Sequence, residues 1–169
     1  MYRAAIVIVI IGLALFVPAA SAKTDYVIVR DESVGGFPRT GTVREAIQVF
    51  GTPTTRENQQ YDECKLSWRA HGVVMQTYYT NGALDPCGPE GQHKSSTVSD
   101  RRWRTSKGLE IGEALSELRK LYPRAQKETP GRWRLTTRPF AGLPYPGLAA
   151  SVKNGRVLSF TVYGPRSPF

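Results

Sequence analysis

Hydrophobic and polar positions along the chain change their spacing several times, and each spacing predicts a different element. Apolar side chains recur at helical spacing over residues 43–50. At the start of this stripe, Thr42 and Glu45 form a Thr-x-x-Glu capping box. A second apolar stripe at helical spacing covers residues 115–122 and stops at Pro123. The sequence therefore predicts two short amphipathic helices.

Strict alternation, or enrichment in β-branched and aromatic residues, predicts strands after each helix. The strands are expected at residues 64–70, 73–79, 132–138, 148–153 and 156–163. Asn81-Gly82 and Asn154-Gly155 are two-residue hairpin signals. The polar segment Gly88–Ser96 is predicted to be a loop.

The two halves of the chain follow the same plan. A shift of 71 residues places Gly41 on Gly112 and Ile47 on Leu118. The sequence predicts an α+β fold in which two tandem helix-plus-antiparallel-meander units, residues 38–100 and 101–164, pack as one domain. Trp68, Trp103 and Trp133 are expected to anchor its core.

The first 22 residues have the pattern of a secretory signal peptide. Arg3 precedes an apolar run that Pro18 interrupts, and Ala20-Ser21-Ala22 offers a small-x-small cleavage site after Ala22. The alternative is a membrane anchor, but a 14-residue helix spans about 21 Å of a hydrocarbon core about 30 Å thick. The sequence predicts a single secreted domain, residues 23–169, in the extracellular or cell-envelope space, with no membrane span after signal removal.

Cys64 and Cys87 are the only cysteines, and both lie in the exported part of the chain. An oxidising compartment favours a disulfide between them. A metal site with His71 and His93 is the first alternative, although the spacing matches no familiar ligand pattern. A nucleophilic cysteine is the second. No metal and no cofactor are expected.

Positive charge is concentrated in one part of the chain. The chain has 23 basic and 14 acidic residues, and residues 101–138 alone contain 11 basic and 4 acidic ones. Because alternate strand residues share a face, Arg132, Arg134 and Arg138 are predicted to form a basic sheet face. Arg101, Arg102 and Arg104, which surround Trp103, are expected to support that face.

The expected partner of this face is an acidic protein or an anionic cell-envelope polymer. No signature of a specific nucleic-acid-binding module is present. The alternative is that these arginines form a solvated outer face that only keeps the protein in solution.

Familiar catalytic patterns are missing from the sequence. It contains no nucleophile elbow, phosphate-binding loop or metalloprotease motif. Asp62 and Glu63 are adjacent on a predicted strand and therefore point to opposite faces, which makes them a poor catalytic pair. The sequence predicts a non-catalytic protein, with a hydrolase as the less favoured alternative.

Several short motifs resemble a group of secreted bacterial proteins of unassigned function. They are RRWRTSKGLEIGEAL at 101–115, LYPRA at 121–125, Cys64-x3-Trp68 and Asp85-Pro86-Cys87. Two consecutive helix-plus-meander units with a cysteine pair in the first also resemble the beta-lactamase inhibitory protein fold, which shares its unit with small outer-membrane assembly lipoproteins. The resemblance implies an inhibitor-like protein that binds its partner through one concave sheet face.

Overall fold

The computed structural model describes residues 24–79, 85–140 and 142–165. The predicted signal peptide 1–22, its cleavage site after Ala22 and the predicted Asn81-Gly82 turn lie outside these residues. The described elements are β1 Val27–Val29, β2 Ser33–Val34, β3 Phe37–Pro38, α1 Val43–Phe50, β4 Thr55–Gln59, β5 Glu63–Trp68, a 3-10 turn Arg69–His71, β6 Val73–Tyr78, β7 Gln92–Val98, β8 Arg104–Thr105, α2 Leu115–Leu121, β9 Gln126–Thr129, β10 Arg132–Phe140, β11 Leu143–Lys153 and β12 Arg156–Tyr163.

The strands of the described chain form two sheets. Four short strands lie in the order β3-β2-β1-β8, and eight lie in the order β4-β5-β6-β7-β12-β11-β10-β9. β1 pairs in parallel with β8, whereas all neighbours in the eight-stranded sheet are antiparallel. Because β7 pairs with β12, the large sheet is continuous from edge strand β4 to edge strand β9.

The predicted fold class, an α+β fold of two tandem helix-plus-antiparallel-meander units, is wrong. The described chain is mostly β, and α1 and α2 contribute only 8 and 7 residues. In two separate meanders, β7 and β12 would each be an edge strand with unpaired backbone groups. Pairing of β7 with β12 gives these backbone groups hydrogen-bond partners. In addition, β8 joins β1 in a second sheet that the sequence pattern did not predict.

Local signals in the sequence predicted several elements correctly. The capping box is present at the start of α1, where the Thr42 N–H donates to the Glu45 carboxylate at 2.8 Å. Asn154 and Gly155 both have positive φ, 52° and 72°, as a two-residue hairpin turn requires. Cys64 and Cys87 form the predicted disulfide.

The predicted loop Gly88–Ser96 is wrong in its second half. β7 begins at Gln92 and lies between β6 and β12 in the large sheet. His93 and Ser96 are buried there and hydrogen-bond each other. The segment is polar because its side chains form hydrogen bonds with one another inside the protein. Amino-acid composition cannot distinguish such a buried polar strand from a solvated loop.

The core lies on one face of the eight-stranded sheet, between that sheet and α1, α2 and the small sheet. The ring of Phe50, at the end of α1, lies 6.2 Å from Phe37, 5.5 Å from Trp68 and 6.5 Å from Trp103 between ring centroids. It therefore joins the helix to both sheets. Trp68, Trp103 and Trp133 are all buried, as predicted.

A partly buried ion pair connects the segment after β1 to the large sheet. Asp31, after β1, is 7 % exposed, and its carboxylate receives two hydrogen bonds from the Arg138 guanidinium of β10, through Nε and, at 2.9 Å, through Nη2. Arg138 Nη2 also donates to the Asp31 carbonyl oxygen at 3.2 Å. These bonds raise the pKa of Arg138, which stays charged.

Gly147 makes room for this ion pair. A Cβ atom at this position would lie 1.9 Å from Asp31 Oδ2 and 2.8 Å from Thr136 Oγ1. Any side chain at residue 147 would therefore displace the carboxylate from Arg138.

We expect Asp31→Asn to lower the free energy of unfolding by about 2 kcal/mol, because it removes the buried carboxylate that accepts the Arg138 hydrogen bonds and leaves only the exposed Glu32, 3.9 Å away, as a counterion. Chemical denaturation measures this difference. Glu57→Gln, which removes an exposed ion pair to Lys65, is the matched control and should cost less than about 1 kcal/mol.

Gly147→Ala tests the same contact without removing a charge, and we expect a loss similar to that of Asp31→Asn. Equal, small losses for Asp31→Asn and Glu57→Gln would contradict the assigned role of the ion pair.

Candidate functional site

The two faces of the eight-stranded sheet differ in what covers them. The covered face contributes Trp68, Phe160 and Trp133 to the core, against which the helices and the small sheet pack. On the opposite face, here called the open face, one row of paired residues crosses all eight strands. The row consists of Thr55, Ser67, Val74, Thr97, Thr161, Ala149, Arg134 and Gln126.

The open face presents hydroxyl and amide groups together with the aromatic ring of Tyr163, which pairs with Ser95. The Oγ1 atoms of Thr97 and Thr161 lie 3.0 Å apart, and Ser95 donates to Gln76 Oε1 at 3.2 Å. Side chains of this face are half-buried by their neighbours or exposed, apart from small residues such as Ser95. The face therefore offers hydrogen-bonding groups across the whole width of the sheet.

Charged side chains on the open face are paired with one another. Lys65 Nζ lies 3.4 Å from the Glu57 carboxylate, and Lys94 forms an ion pair with Glu63. The third acidic group, Glu128, binds two arginines of β10. These pairs leave the open face with almost no net charge.

Arg132 and Arg134 of the predicted binding site both lie on the open face and are held there by Glu128. Arg132 Nε lies 3.1 Å and Arg134 Nε 3.3 Å from that carboxylate. Arg134 also donates to Gln126 Oε1 at 2.8 Å, and Arg132 donates to the Tyr163 hydroxyl. Burial raises the pKa of Tyr163, and the nearby Arg132 charge opposes that shift.

Arg138 does not share this face, so the prediction of one common arginine face is wrong for it. Arg134 pairs with Ala149 but Thr136 pairs with Leu148, which makes Leu135 an extra residue in β10. Leu148 points into the core, and the side chains that follow the bulge therefore change face. A sequence pattern with strict period two cannot reveal such a bulge.

The other predicted arginines lie apart from the open face. The Arg102 guanidinium binds both carboxylate oxygens of Asp100, donates to the Ala70 carbonyl and lies 4.1 Å from the Tyr26 ring centroid. These hydrogen bonds lower the pKa of Asp100 to about 2. Arg101 and Arg104 are exposed and make no ion pair within the described residues.

A shallow groove of about 420 Å³ lies at one end of the open face. Its walls include Lys65, Ser67, Val74 and Ser99. Neither His71 nor His93, the two histidines of the chain, lines this groove.

Sequence reasoning missed a serine–histidine pair. Ser96 Oγ lies 2.9 Å from His93 Nε2, while His93 Nδ1 lies 2.7 Å from the Arg39 carbonyl oxygen. Since a carbonyl only accepts, Nδ1 carries the proton and Nε2 accepts from the serine hydroxyl. His93 is 2 % exposed and Ser96 is 0 % exposed, so no substrate reaches the pair and it serves the core.

Burial lowers the pKa of His93 to about 4, more than its bond to the Arg39 carbonyl raises it. The imidazole is therefore neutral in the folded protein at neutral pH. It packs edge-on against Phe37, with ring centroids 5.2 Å apart.

The described residues contain no group of three or more His, Cys, Asp and Glu side chains that could hold a metal ion. Both cysteines are bonded to each other. Among the described helices, none has the length and apolar character that a membrane crossing requires.

Comparison with known proteins does not assign the chain to a family. No family model matches it, and no curated protein matches it. Two solved structures are distantly similar: a cysteine-rich secretory protein from Staphylococcus aureus (11 % identity, TM-score 0.44) and an extracellular protein containing an SCP domain from Bacillus anthracis (10 % identity, TM-score 0.43).

Each similarity covers 74 % of this chain, but only 44 % and 43 % of the two known proteins. The chain therefore spans less than half the length of either one. At this level the similarity carries no functional argument, and the resemblance to the beta-lactamase inhibitory protein fold stays a prediction.

We expect the free energy of unfolding to fall as the pH drops from about 6.5 towards 4. Over this range the unfolded chain binds a proton at His93, whose ordinary pKa is 6.5, but the folded chain does not. Above pH 6.5 both states are neutral and the contribution is constant. The difference between the two pKa values corresponds to roughly 3 kcal/mol.

Urea unfolding at several pH values, on the wild type and on His93→Gln, measures this dependence. The variant should be less stable at pH 7 but show a flatter slope. His71→Gln removes the only other histidine and should keep most of the wild-type slope. An unchanged slope in His93→Gln would show that another group causes the acid sensitivity.

Proposed function

We propose that the chain is a secreted, non-catalytic binding protein that holds a protein partner against the open face of its eight-stranded sheet. The observation that carries this proposal is the contrast between the two faces. One is covered by α1, α2 and the small sheet, while a polar row of paired residues crosses the other.

The size of the open face suits a protein partner. Eight strands at about 4.8 Å spacing span about 34 Å, and strands of about six residues are about 20 Å long. The resulting area of roughly 700 Å² is close to the roughly 800 Å² that each partner buries in a standard protein complex. A small ligand would use only a fraction of this surface.

The paired charges of the open face favour a protein over an anionic polymer. Attraction to a polyanion depends on free cations that replace its counterions. On this face Glu57, Glu63 and Glu128 already neutralise most of the cations. A partner with a mixed, hydrogen-bonding surface of low net charge fits this chemistry better.

Export supports the proposal further. The signal-peptide pattern at 1–22 predicts it, and the Cys64–Cys87 disulfide is typical of an oxidising compartment. In such a compartment a non-catalytic protein acts through the partner that it binds.

Photo-crosslinking from single positions tests the proposal. A photoreactive amino acid at Val74 or Thr97, both on the open face, should form an adduct with one and the same protein in the producing culture. The matched control position is Ser116, which is exposed on helix α2, on the other side of the sheet. We expect at least tenfold more adduct from the open face, unchanged at about 0.5 M salt, since a neutral interface is weakly screened.

Equal adduct from Ser116, or no protein adduct from either open-face position, would overturn the proposal. Loss of the adduct at high salt would instead favour a charge-dominated contact, which contradicts a neutral protein interface.

A further inference from the structure

Four exposed cations surround the end of helix α2, on the side of the molecule away from the open face. They are Lys107, Arg119, Arg124 and Lys127, here called the α2 patch. None of them forms an ion pair within the described residues. The patch therefore carries most of the unpaired positive charge that the sequence concentrates between residues 101 and 138.

Ring contacts and strand pairing place Lys107, Arg119 and Lys127 on one surface, and Arg124 follows the end of α2 by three residues. Lys107 Nζ lies 3.4 Å from the Leu121 carbonyl oxygen and 4.7 Å from the Tyr122 ring centroid. The Arg119 guanidinium lies 5.1 Å from the ring centroid of Trp133, which pairs with Lys127 across β9 and β10. Since Trp133 belongs to the covered face, the patch lies behind the open face.

Neighbouring acidic groups are occupied elsewhere. Glu117 pairs with Lys120 at 3.2 Å, and Glu128 binds Arg132 and Arg134 on the open face. Within the described residues, no carboxylate forms an ion pair with a cation of the patch.

Stabilisation of the helix explains only part of the patch. Cations near a helix C-terminus interact favourably with its dipole, which accounts for Lys107 and Arg119. This effect falls off beyond the last turn, and α2 ends at Leu121. Arg124 and Lys127 lie past that end, so the helix does not explain why they are basic.

We propose that the α2 patch binds a linear, phosphate-bearing polymer. Its cations stand on separate, exposed long side chains, and among the described residues no carboxylate holds two of them in a fixed arrangement. Such an arrangement suits a flexible chain of repeated charges better than the surface of a folded acidic protein. Each unit inside such a polymer carries one negative charge and two free oxygens, which the planar arginine fork can bind as a pair and the lysine ammonium can bind as a point charge.

This inference does not depend on the proposed function. The open face and the α2 patch lie on opposite sides of the sheet, so a polymer on the patch leaves the open face available. Either site can be tested, and can fail, without the other.

Binding of fluorescently labelled inorganic polyphosphate to the purified protein tests the proposal. With about four contacts, the logarithm of the affinity should fall with the logarithm of salt with a slope near −3, from about 0.7 per neutralised phosphate. The test variant is Arg124→Glu with Lys127→Glu, because neither side chain supports another part of the described structure.

The matched control, Arg101→Glu with Lys153→Glu, changes the net charge equally through one arginine and one lysine at other exposed positions. We expect the patch variant to lose at least tenfold in affinity at about 0.1 M salt and to lower the slope by about 1.4, with less than a threefold loss in the control. If the charge reversal disturbs folding, Arg124→Gln with Lys127→Gln is the replacement variant. It should lose affinity in the same direction, by about half as much.

Equal losses in the patch variant and the control would overturn the proposal, because net charge alone would then explain the binding. Affinity weaker than about 1 mM at low salt would overturn it as well. A polyglutamate of the same charge should bind at least threefold more weakly than polyphosphate, and equal or tighter binding would show that phosphate is the wrong chemistry.

Discussion

Burial of one face of the eight-stranded sheet is the constraint on which the other features depend. The ring of Phe50 lies between Phe37 of the small sheet and Trp68 of the large one, and Asp31 reaches Arg138 from the same side. Because α1, α2 and the small sheet all pack on this face, no described element covers the opposite face. The uncovered surface of the described chain is thus a consequence of how the core is closed.

Ion pairs between side chains determine which positive charges of the chain stay unpaired. The sequence suggests an arginine face on β10, but Glu128 pairs with Arg132 and Arg134 on the open face, and Asp31 pairs with Arg138 behind it. Charge that remains unpaired collects around the end of α2, behind the open face. A near-neutral hydrogen-bonding surface and a basic surface therefore lie on opposite sides of one sheet, and each suits a different class of partner.

Sequence patterns predicted what is decided locally. The capping box of Thr42, the Asn154-Gly155 turn and the three buried tryptophans depend on neighbours in the chain or on a side chain's preference for burial, and the structure confirms them. The disulfide followed from predicted export. The pairing of β7 with β12 and the change of face at Leu135 depend on distant strands, which is why the fold class and the common arginine face were predicted wrongly.

Hydroxyl-radical footprinting of the free protein tests the central claim, that one sheet face is closed and the other open, most directly. After correction for intrinsic reactivity, Val74 and Tyr78 of the open face should be oxidised several times faster than Trp68 and Phe160 of the covered face. Comparable corrected rates on the two faces would show that the covered face is accessible to solvent, or that another part of the chain covers the open one, and would contradict the account.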